Sequence, residues 1–190
     1  MIELGSQPPS IVLEDKEGGF VADGEPWSSS MIQKKVYAVV YLDPDSRHKN
    51  RILQAKLKSA EFNLNHFGSI VVINLAATWL PNAILKPMIK KEQKDKPYAH
   101  FVFDAKKKLV QIWGLKDKDY NFLLFDSGGK CLYISYGEIS LPECKKVIQL
   151  IRDNIKIPKK KIKKTSKPKK TAAIKKKKTK STKVKKKKSG

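Results

Sequence analysis

Two cysteines are the residues best suited to covalent chemistry in this chain of 190 residues, because a thiolate is a strong nucleophile. Cys131 and Cys144 are 13 positions apart. A redox pair or a zinc knuckle places its cysteines two residues apart, so this spacing predicts neither site. We expect ordinary half-buried thiols or incidental surface thiols, and we draw no cellular compartment from them.

A hydrolytic triad is suggested by composition alone around Asp45, Ser46 and His48. Ser46 and His48 are two residues apart at the expected start of a helix, where their side chains point in different directions and share no proton. His66 and His100 lack metal-ligand spacing, and no loop is rich in carboxylates. Glycine-rich phosphate motifs are missing too. The sequence therefore predicts no catalytic residue, no metal and no cofactor.

A basic run in the same stretch predicts a weak anion site. Arg47, His48 and Lys49 follow Ser46 directly before a helical pattern. Free backbone N–H groups and the dipole at a helix start favour an anion, so these four residues could bind a carboxylate or a phosphate. The alternative is that Asp45 or Ser46 caps the helix and that the charges are solvated.

The net charge of +23 is concentrated at the C-terminus. Residues 159–190 contain 18 lysines and no acidic residue, which leaves 23 basic and 18 acidic residues, a net charge of +5, for residues 1–158. The lysine-rich segment has no aromatic side chain and too few apolar ones to offset about 1–2 kcal/mol of backbone entropy per ordered residue. We therefore expect one folded domain over residues 1–155 and a disordered polylysine tail over residues 156–190.

The polylysine tail is the second candidate binding element. Lysine supplies charge without the bidentate hydrogen bonding of arginine or the stacking of aromatic rings, so we expect salt-sensitive binding to polyanions without sequence specificity. Nucleic acid and an anionic lipid or envelope polymer are equally suitable partners, and a merely solubilising extension is a third interpretation. The expected binding residues are Lys163, Lys164, Lys169, Lys170, Lys175, Lys176, Lys177, Lys178, Lys185, Lys186, Lys187 and Lys188.

Apolar patterns upstream of the tail predict an α/β domain. The predicted strands cover residues 10–15, 18–21, 36–42, 70–75, 100–103, 122–125 and 131–136. A glycine-containing turn joins the first two strands into a predicted N-terminal β-hairpin, and a glycine pair joins the last two. Helical patterns follow the third and fourth strands, and a last helix is predicted to begin after Ser140.

The order of these elements, together with local motifs, carries a family resemblance. The segment from Gly5 to Leu13 and the hairpin from Leu123 to Lys130 resemble segments of thioredoxin-like proteins of the peroxiredoxin and TlpA/ResA branch. Residues 35–50, the strand from Val71 to Asn74 and the stretch from Trp113 to Asp117 resemble the bacterial YtfJ family more specifically. This resemblance covers about residues 5–155. It implies a central mixed β-sheet flanked by helices.

The resemblance also implies where redox residues would lie. Thiol-active members carry two cysteines in the turn after the first long strand, where a helix N-terminus lowers the pKa of the thiol. Those positions correspond to Ser46 and Lys49 in this chain, and the position of a cis-proline beside the thiols corresponds to Tyr120. We therefore expect a thioredoxin-like fold that has lost its redox chemistry and is not an enzyme.

Localisation and function complete the sequence-based hypothesis. No segment approaches the roughly 18 uninterrupted apolar residues of a membrane span, and residues 1–9 do not resemble a secretory signal. The sequence as written predicts a cytoplasmic protein, whereas the family resemblance implies the periplasm if a leader precedes Met1. We interpret the chain as a non-catalytic thioredoxin-like protein whose tail binds polyanions. The alternative is a thiol-disulfide oxidoreductase or peroxide-handling enzyme that uses Cys131 or Cys144.

Overall fold

Eight strands and four α-helices make up the part of the chain that the computed structural model describes, residues 1–155. The predicted disorder of residues 156–190 lies outside the described residues and stays a prediction. The strands are β1 (Val12–Leu13), β2 (Gly18–Phe20), β3 (Trp27–Ser28), β4 (Val36–Leu42), β5 (Phe67–Asn74), β6 (Ala99–Asp104), β7 (Tyr120–Phe125) and β8 (Cys131–Tyr136). The helices are α1 (Arg51–Ser59), α2 (Asn82–Asp95), α3 (Lys108–Trp113) and α4 (Leu141–Asn154).

Six of the strands form one mixed sheet in the order β2-β6-β5-β4-β7-β8. The three strands β4, β5 and β6 run parallel, whereas β7 is antiparallel to β4, β8 to β7 and β2 to β6. β4 lies in the middle of the sheet, where both faces are covered, and its residues from Val36 to Leu42 are accordingly almost all apolar. The predicted α/β fold, a central mixed sheet of thioredoxin-like type flanked by helices, is confirmed.

The pairing predicted for the N-terminal β-hairpin is wrong. Both short strands are present, but β1 pairs with β3 through Leu13 and Trp27, and β2 pairs with β6 in the main sheet. At Gly18 the backbone has a φ of +151°, and a Cβ there would collide with the carbonyl oxygen of Phe103. Glycine therefore permits the close approach of β2 to β6. The sequence pattern indicates strands without indicating their partners.

Two hydrophobic cores lie on opposite faces of the sheet. On one face α1, α2 and α4 bury Leu53, Leu85 and Val147. On the other face the short helix α3 buries Leu109 and Trp113 beside the β1-β3 pair. The sequence does not predict α3, because six residues are too few to show a helical period. No helix within residues 1–155 has the length and apolar character needed to cross a membrane.

Two predicted local signals are confirmed in the last third of the domain. The Asp126 carboxylate accepts hydrogen bonds from the backbone N–H groups of Gly128 (2.8 Å) and Lys130 (2.9 Å) in the β7-β8 turn. Ser140 caps α4: its hydroxyl accepts from the backbone N–H of Glu143, and the Glu143 carboxylate accepts from the backbone N–H of Ser140 at 3.0 Å. Two N–H groups that the helix leaves without a partner are thereby satisfied.

We expect Ser140→Ala to lower the free energy of unfolding by about 1 kcal/mol, because the cap of α4 is lost while the core is unchanged. Urea denaturation of the full chain, followed by circular dichroism, measures the change. The matched control is Ser59→Ala at the exposed C-terminal end of α1, for which a change below about 0.5 kcal/mol is expected. Equal losses in both variants would contradict the capping role.

Candidate functional site at the carboxyl edge of the sheet

The predicted site residues lie where β4 leaves the sheet. A short 3-10 turn, Pro44–Ser46, follows β4, and α1 begins at Arg51. The residue at the position expected for a cis-proline, Tyr120, is buried and pairs with Leu42, the last residue of β4. The structure therefore places Ser46, Lys49 and Tyr120 around one end of β4, as the resemblance implies for a redox site.

Two polar side chains, Lys49 and Asn50, tie this turn to neighbouring segments. The Lys49 ammonium donates to Asp119 at 2.8 Å, next to the start of β7. The Asn50 side chain donates to the carbonyl oxygen of Gly137 at 2.8 Å and accepts from the backbone N–H of Ile139 at 2.7 Å. Asn50 adopts a φ of +58°, a left-handed conformation that asparagine tolerates better than most residues. The turn is therefore held from both sides.

The predicted anion-binding residues have different surroundings. Ser46 is buried, and its backbone N–H donates to the carbonyl oxygen of Asp43. The ammonium of Lys49 is bound to Asp119. Arg47 and His48 are exposed, with 3.3 Å between Nε of Arg47 and Nε2 of His48. The site for a carboxylate or a phosphate stays a prediction. Arg47 and His48 are its exposed members, and Lys49 is half-buried.

A third basic side chain extends this exposed pair. The Nη2 atom of Arg51 lies 3.0 Å from Nδ1 of His48, so both ring nitrogens face guanidinium groups rather than Ser46. This geometry agrees with the exclusion of a Ser-His catalytic pair. Within residues 1–155, none of these three basic side chains forms a salt bridge. We refer to Arg47, His48 and Arg51 as the basic cluster.

Below the turn lies a polar network that sequence reasoning missed. Asn74, fully buried at the end of β5, donates from its side chain to Asp43 at 3.3 Å and to Asp117 at 3.0 Å. Lys107 donates to the other oxygen of Asp117 at 2.7 Å and holds the pKa of Asp117 below its usual value. The network therefore joins the ends of β4 and β5 to the loop that follows α3.

A second buried carboxylate stands at the end of the next strand. Asp104 accepts hydrogen bonds from the backbone N–H groups of Lys106 (3.3 Å), Lys108 (2.9 Å) and Leu109 (3.0 Å), and it thereby starts α3. Burial raises its pKa. Beside it, the hydroxyl of Tyr41 is buried without a hydrogen-bond partner among the described residues.

One sequence signal could have revealed the network. Asp43, Asn74 and Asp104 each stand at the carboxyl end of a buried strand, and these three strands are parallel neighbours. Because such ends meet at one edge of a sheet, the three polar residues could have been grouped from the sequence. Within residues 1–155, no group of three or more histidines, cysteines or carboxylates has the arrangement of a metal site.

Asp43 is the carboxyl group of this network that responds to pH near neutrality. Its side chain is almost fully buried, 3% exposed. Burial, followed by the negative charge of Asp117, raises the pKa of Asp43 to about 6. The donor Asn74 opposes this rise without cancelling it. The group can therefore hold or release a proton close to physiological pH, although no nucleophile is in hydrogen-bond contact with it among the described residues.

The two cysteines lie away from this edge and away from each other. Cys131 belongs to the core on the α3 face of the sheet, whereas Cys144 belongs to the core beneath α1, α2 and α4. Both are buried. Burial raises the pKa of Cys131 to about 11 and also raises the pKa of Cys144. Thiols on opposite faces of a sheet cannot form a disulfide with each other, and neutral thiols are poor nucleophiles.

Comparison with known proteins assigns the family. Residues 4–154 match the model of the YtfJ_HI0045 family, which is described as bacterial protein of unknown function. The chain belongs to this family. An uncharacterized protein of Haemophilus influenzae is 27% identical over 149 residues, which cover 77% of this chain and 79% of the relative. The resemblance to the YtfJ family is thereby confirmed.

Several solved structures that are similar to this YtfJ-family chain bear names that refer to thiol-disulfide chemistry or to thioredoxin. A putative protein disulfide isomerase from Bacteroides thetaiotaomicron has a TM-score of 0.55 at 14% identity and covers 83% of this chain and 92% of its own. A putative thiol:disulfide interchange protein DsbE from Chlorobium tepidum has a TM-score of 0.53 at 17% identity, with 82% and 99% covered. A putative thioredoxin from Neisseria meningitidis has a TM-score of 0.55 at 19% identity, with 78% and 92% covered. At these identities the likeness shows the fold alone.

We expect Asp43→Asn to stabilise the protein above pH 6 and to flatten the pH dependence of its stability. The pKa of Asp43 is about 6 in the folded chain, above the ordinary value of 3.8, so the folded state binds this proton more tightly than the unfolded state. Stability therefore falls as the pH rises from about 4 to about 6. The variant should gain about 1–2 kcal/mol at pH 7.5, measured by urea denaturation across this range.

The matched control is Asp95→Asn, at an exposed carboxylate at the end of α2 that is not among the charges acting on Asp43. This variant should keep the pH profile of the parent chain. An Asp43→Asn variant that is less stable than the parent at pH 7.5, with an unchanged slope between pH 4 and 6, would show that the buried charge is not a cost to folding.

Proposed function

We propose that this YtfJ-family protein is a non-catalytic binding protein, in which the thioredoxin-like domain is attached to polyanions by the lysine-rich segment 156–190. One observation carries the proposal: 18 of the 41 basic residues lie between Lys159 and Gly190, where no acidic residue occurs. The domain has almost balanced charge by comparison. A polyanion therefore gains most of its electrostatic attraction from the C-terminal segment.

The polar contacts of the turn support the non-catalytic part of the proposal. At the positions where the family resemblance places redox cysteines, Ser46 is buried and Lys49 is held by Asp119. Neither side chain forms a stable anionic nucleophile near neutral pH. The names of the similar structures refer to thiol-disulfide chemistry, but that chemistry requires residues that the turn of this chain lacks.

The alternative function, an oxidoreductase that uses Cys131 or Cys144, is opposed by burial. A reactive cysteine needs an accessible thiolate, and these thiols are 1% and 0% exposed with raised pKa values. Among residues 1–155, no basic group lowers the pKa of Cys131. For Cys144, the charge of Lys56 lowers the pKa by less than burial raises it. Access to either sulfur would require local unfolding of the sheet or of α4.

The chemistry of the tail does not distinguish among polyanions. Lysine binds phosphate groups of nucleic acid and of lipid headgroups by the same charge attraction. A cytoplasmic protein would meet nucleic acid, and a periplasmic protein would meet envelope lipid or polymer. The proposal is therefore tested with double-stranded DNA of random sequence and with vesicles that contain an anionic lipid, side by side.

We expect the full chain to bind both polyanions with an affinity that falls steeply with salt. Eight substitutions, Lys→Gln at residues 175–178 and 185–188, keep the length of the tail and remove eight of its 19 positive charges. They should weaken binding at least tenfold at 0.1 M salt and reduce the slope of log K against log salt by about 0.7–0.9 for each contact removed. Fluorescence anisotropy measures DNA binding, and co-sedimentation measures vesicle binding.

The matched control carries Lys→Arg at the same eight positions, which keeps the charge and should keep the affinity. A second variant ends at Ile157 and lacks nearly the whole tail. If this truncated chain binds with unchanged affinity and salt slope, the tail is not the binding element and the proposal fails. Stronger binding to DNA than to vesicles, or the reverse, identifies the polyanion class.

We expect the native chain to show no thiol-disulfide activity. Insulin reduction in the presence of dithiothreitol should proceed at the rate of the reagent alone, because both thiols are buried and protonated. An aromatic disulfide reagent should titrate no thiol in the native chain at pH 8 and two thiols in the denatured chain. Insulin turnover comparable to that of a cysteine-pair enzyme, lost in Cys131→Ala or Cys144→Ala, would establish the alternative function.

A further inference from the structure

An uncharged and largely exposed segment leaves the carboxyl edge of the sheet after β5. Residues 75–85 contain no charged side chain, although 31% of the residues of the whole chain are charged. Trp79 is 84% exposed, and Ile84 in the first turn of α2 is 53% exposed. Within residues 1–155, no other side chain covers these two apolar groups. Both are therefore free to contact a partner outside the domain.

Trp79 differs from the other two tryptophans of the chain. Trp27 and Trp113 are 0% and 1% exposed, as is usual for a side chain with so large an apolar surface. Pro81 accepts a hydrogen bond from the backbone N–H of Ile84 at 2.9 Å, and two steps of chain separate Trp79 from Pro81. The Cα atoms of Trp79 and Ile84 are therefore at most about 12 Å apart. The two side chains belong to one projection of the surface.

A third exposed apolar side chain stands at the same edge of the sheet. β4 and β5 are parallel neighbours, so the segments that follow them emerge side by side, with the strands about 4.8 Å apart. The helices α1 and α2 start there and lie on one face of the sheet. In the first turn of α1, Ile52 is 56% exposed. We refer to Ile52, Trp79 and Ile84 as the apolar tip.

Basic side chains surround the apolar tip. Arg47 and Arg51 belong to the turn after β4 and to the start of α1, and Lys86 is exposed in the second turn of α2. Within residues 1–155, none of the three forms a salt bridge. In residues 43–52 and 75–88 the exposed carboxylate is that of Asp45. The edge therefore combines exposed apolar groups with an excess of positive charge.

This combination matches the interface of an anionic lipid bilayer. The headgroup region accommodates tryptophan and aliphatic side chains near the acyl boundary, and it offers phosphates to basic side chains at nearly the same depth. A rigid protein partner would need a pocket for the projecting indole ring and carboxylates for the arginines. Lipid molecules rearrange around such a projection. The edge is therefore better matched to a membrane than to a folded partner.

We propose that the carboxyl edge of the sheet docks on an anionic membrane surface, with the apolar tip among the lipid headgroups and with Arg47, Arg51 and Lys86 at lipid phosphates. The contact is peripheral, because residues 75–85 are far fewer than the roughly 18 apolar residues of a membrane span. The docking surface lies within the domain and does not depend on the function assigned to the lysine-rich segment. Charge attraction by that segment leaves a ring in the domain exposed to water, whereas docking of the edge buries it.

Tryptophan fluorescence of the full chain tests the proposal with vesicles of phosphatidylglycerol and phosphatidylcholine in equal parts. Since Trp27 and Trp113 are buried, a change on lipid binding reports Trp79. We expect the emission to move to shorter wavelength and brominated acyl chains to quench it. The Trp79→Phe variant keeps an apolar ring and should bind vesicles without either change. Vesicle binding by the parent chain without these changes would overturn the proposal and leave binding by the lysine-rich segment intact.

Substitutions in the apolar tip test its share of the affinity. The double variant Trp79→Ser, Ile84→Ser should weaken vesicle binding at least tenfold in co-sedimentation, because the apolar area available for burial is removed. The matched control is Leu4→Ser, at a side chain that is 65% exposed and follows Ile2, a member of the core on the other face of the sheet. Equal affinities in the double variant and in the control would overturn the proposal.

Two comparisons test the basic side chains. The double variant Arg47→Gln, Arg51→Gln should weaken binding about tenfold, whereas Arg152→Gln in the last turn of α4, far from this edge, should have little effect. Vesicles of phosphatidylcholine alone should bind the parent chain much more weakly than the anionic vesicles. Equal binding to both kinds of vesicle would overturn the proposal.

The chain with eight Lys→Gln substitutions in residues 175–178 and 185–188 separates the docking edge from the lysine-rich segment. This chain should need more lipid for half-saturation but should reach the same Trp79 emission at saturation. An emission that stays at the lipid-free wavelength at saturation would overturn the proposal. Self-association without lipid that Trp79→Ser abolishes would assign the apolar tip to a second copy of the chain and would also overturn it.

Discussion

Burial of β4 on both faces is the constraint on which the rest of the structure depends. Val39 packs into one hydrophobic core and its neighbours Ala38 and Val40 into the other, so a slip of one residue would exchange the two sets. The register against β5 and β7 is therefore fixed. Because β4 must end at Leu42, the turn that follows emerges at the same edge as Asn74, and the site is assembled by the sheet rather than by the turn itself.

The carboxyl edge combines two different electrostatic environments within a short stretch of chain. Inside, the Asn74 amide bridges the buried carboxylate of Asp43 and the half-buried carboxylate of Asp117. Burial and the charge of Asp117 raise the pKa of Asp43, and the hydrogen bond from Asn74 opposes this rise. Outside, the three side chains of the basic cluster reach solvent. The Asn74 contacts join the strand ends, whereas the exposed side chains of the basic cluster are available to a ligand. Different residues of this edge therefore stabilise the fold and face solvent.

The sequence predicts the parts of the fold that depend on local pattern. Continuous apolar runs predict β4 and β5, and a serine followed by proline and glutamate predicts the start of α4 at Ser140. Each of these patterns is encoded in adjacent residues. Contacts between distant segments are not encoded in this way. The pairing of β2 with β6, the contact of Asn74 with Asp117 and the raised pKa of Asp43 arise only when separate segments meet. The turn after β4 follows from the apolar run that ends at Leu42, whereas the side chains that hold it come from segments far apart in the sequence, which no sequence pattern records.

The contacts of Lys49 and Asn50, which hold the turn after β4, limit how this domain could evolve. If a cysteine replaced Lys49, Asp119 would lose its partner, and a cysteine in place of Ser46 would lie in a buried position without gaining access to a substrate. Neither single substitution therefore supplies an accessible pair of thiols, and the one at Lys49 also removes a contact of the turn. The Asn50 contacts would hold the backbone in its present shape meanwhile. The contacts that hold the turn therefore also make it costly to convert, one substitution at a time, into a cysteine pair.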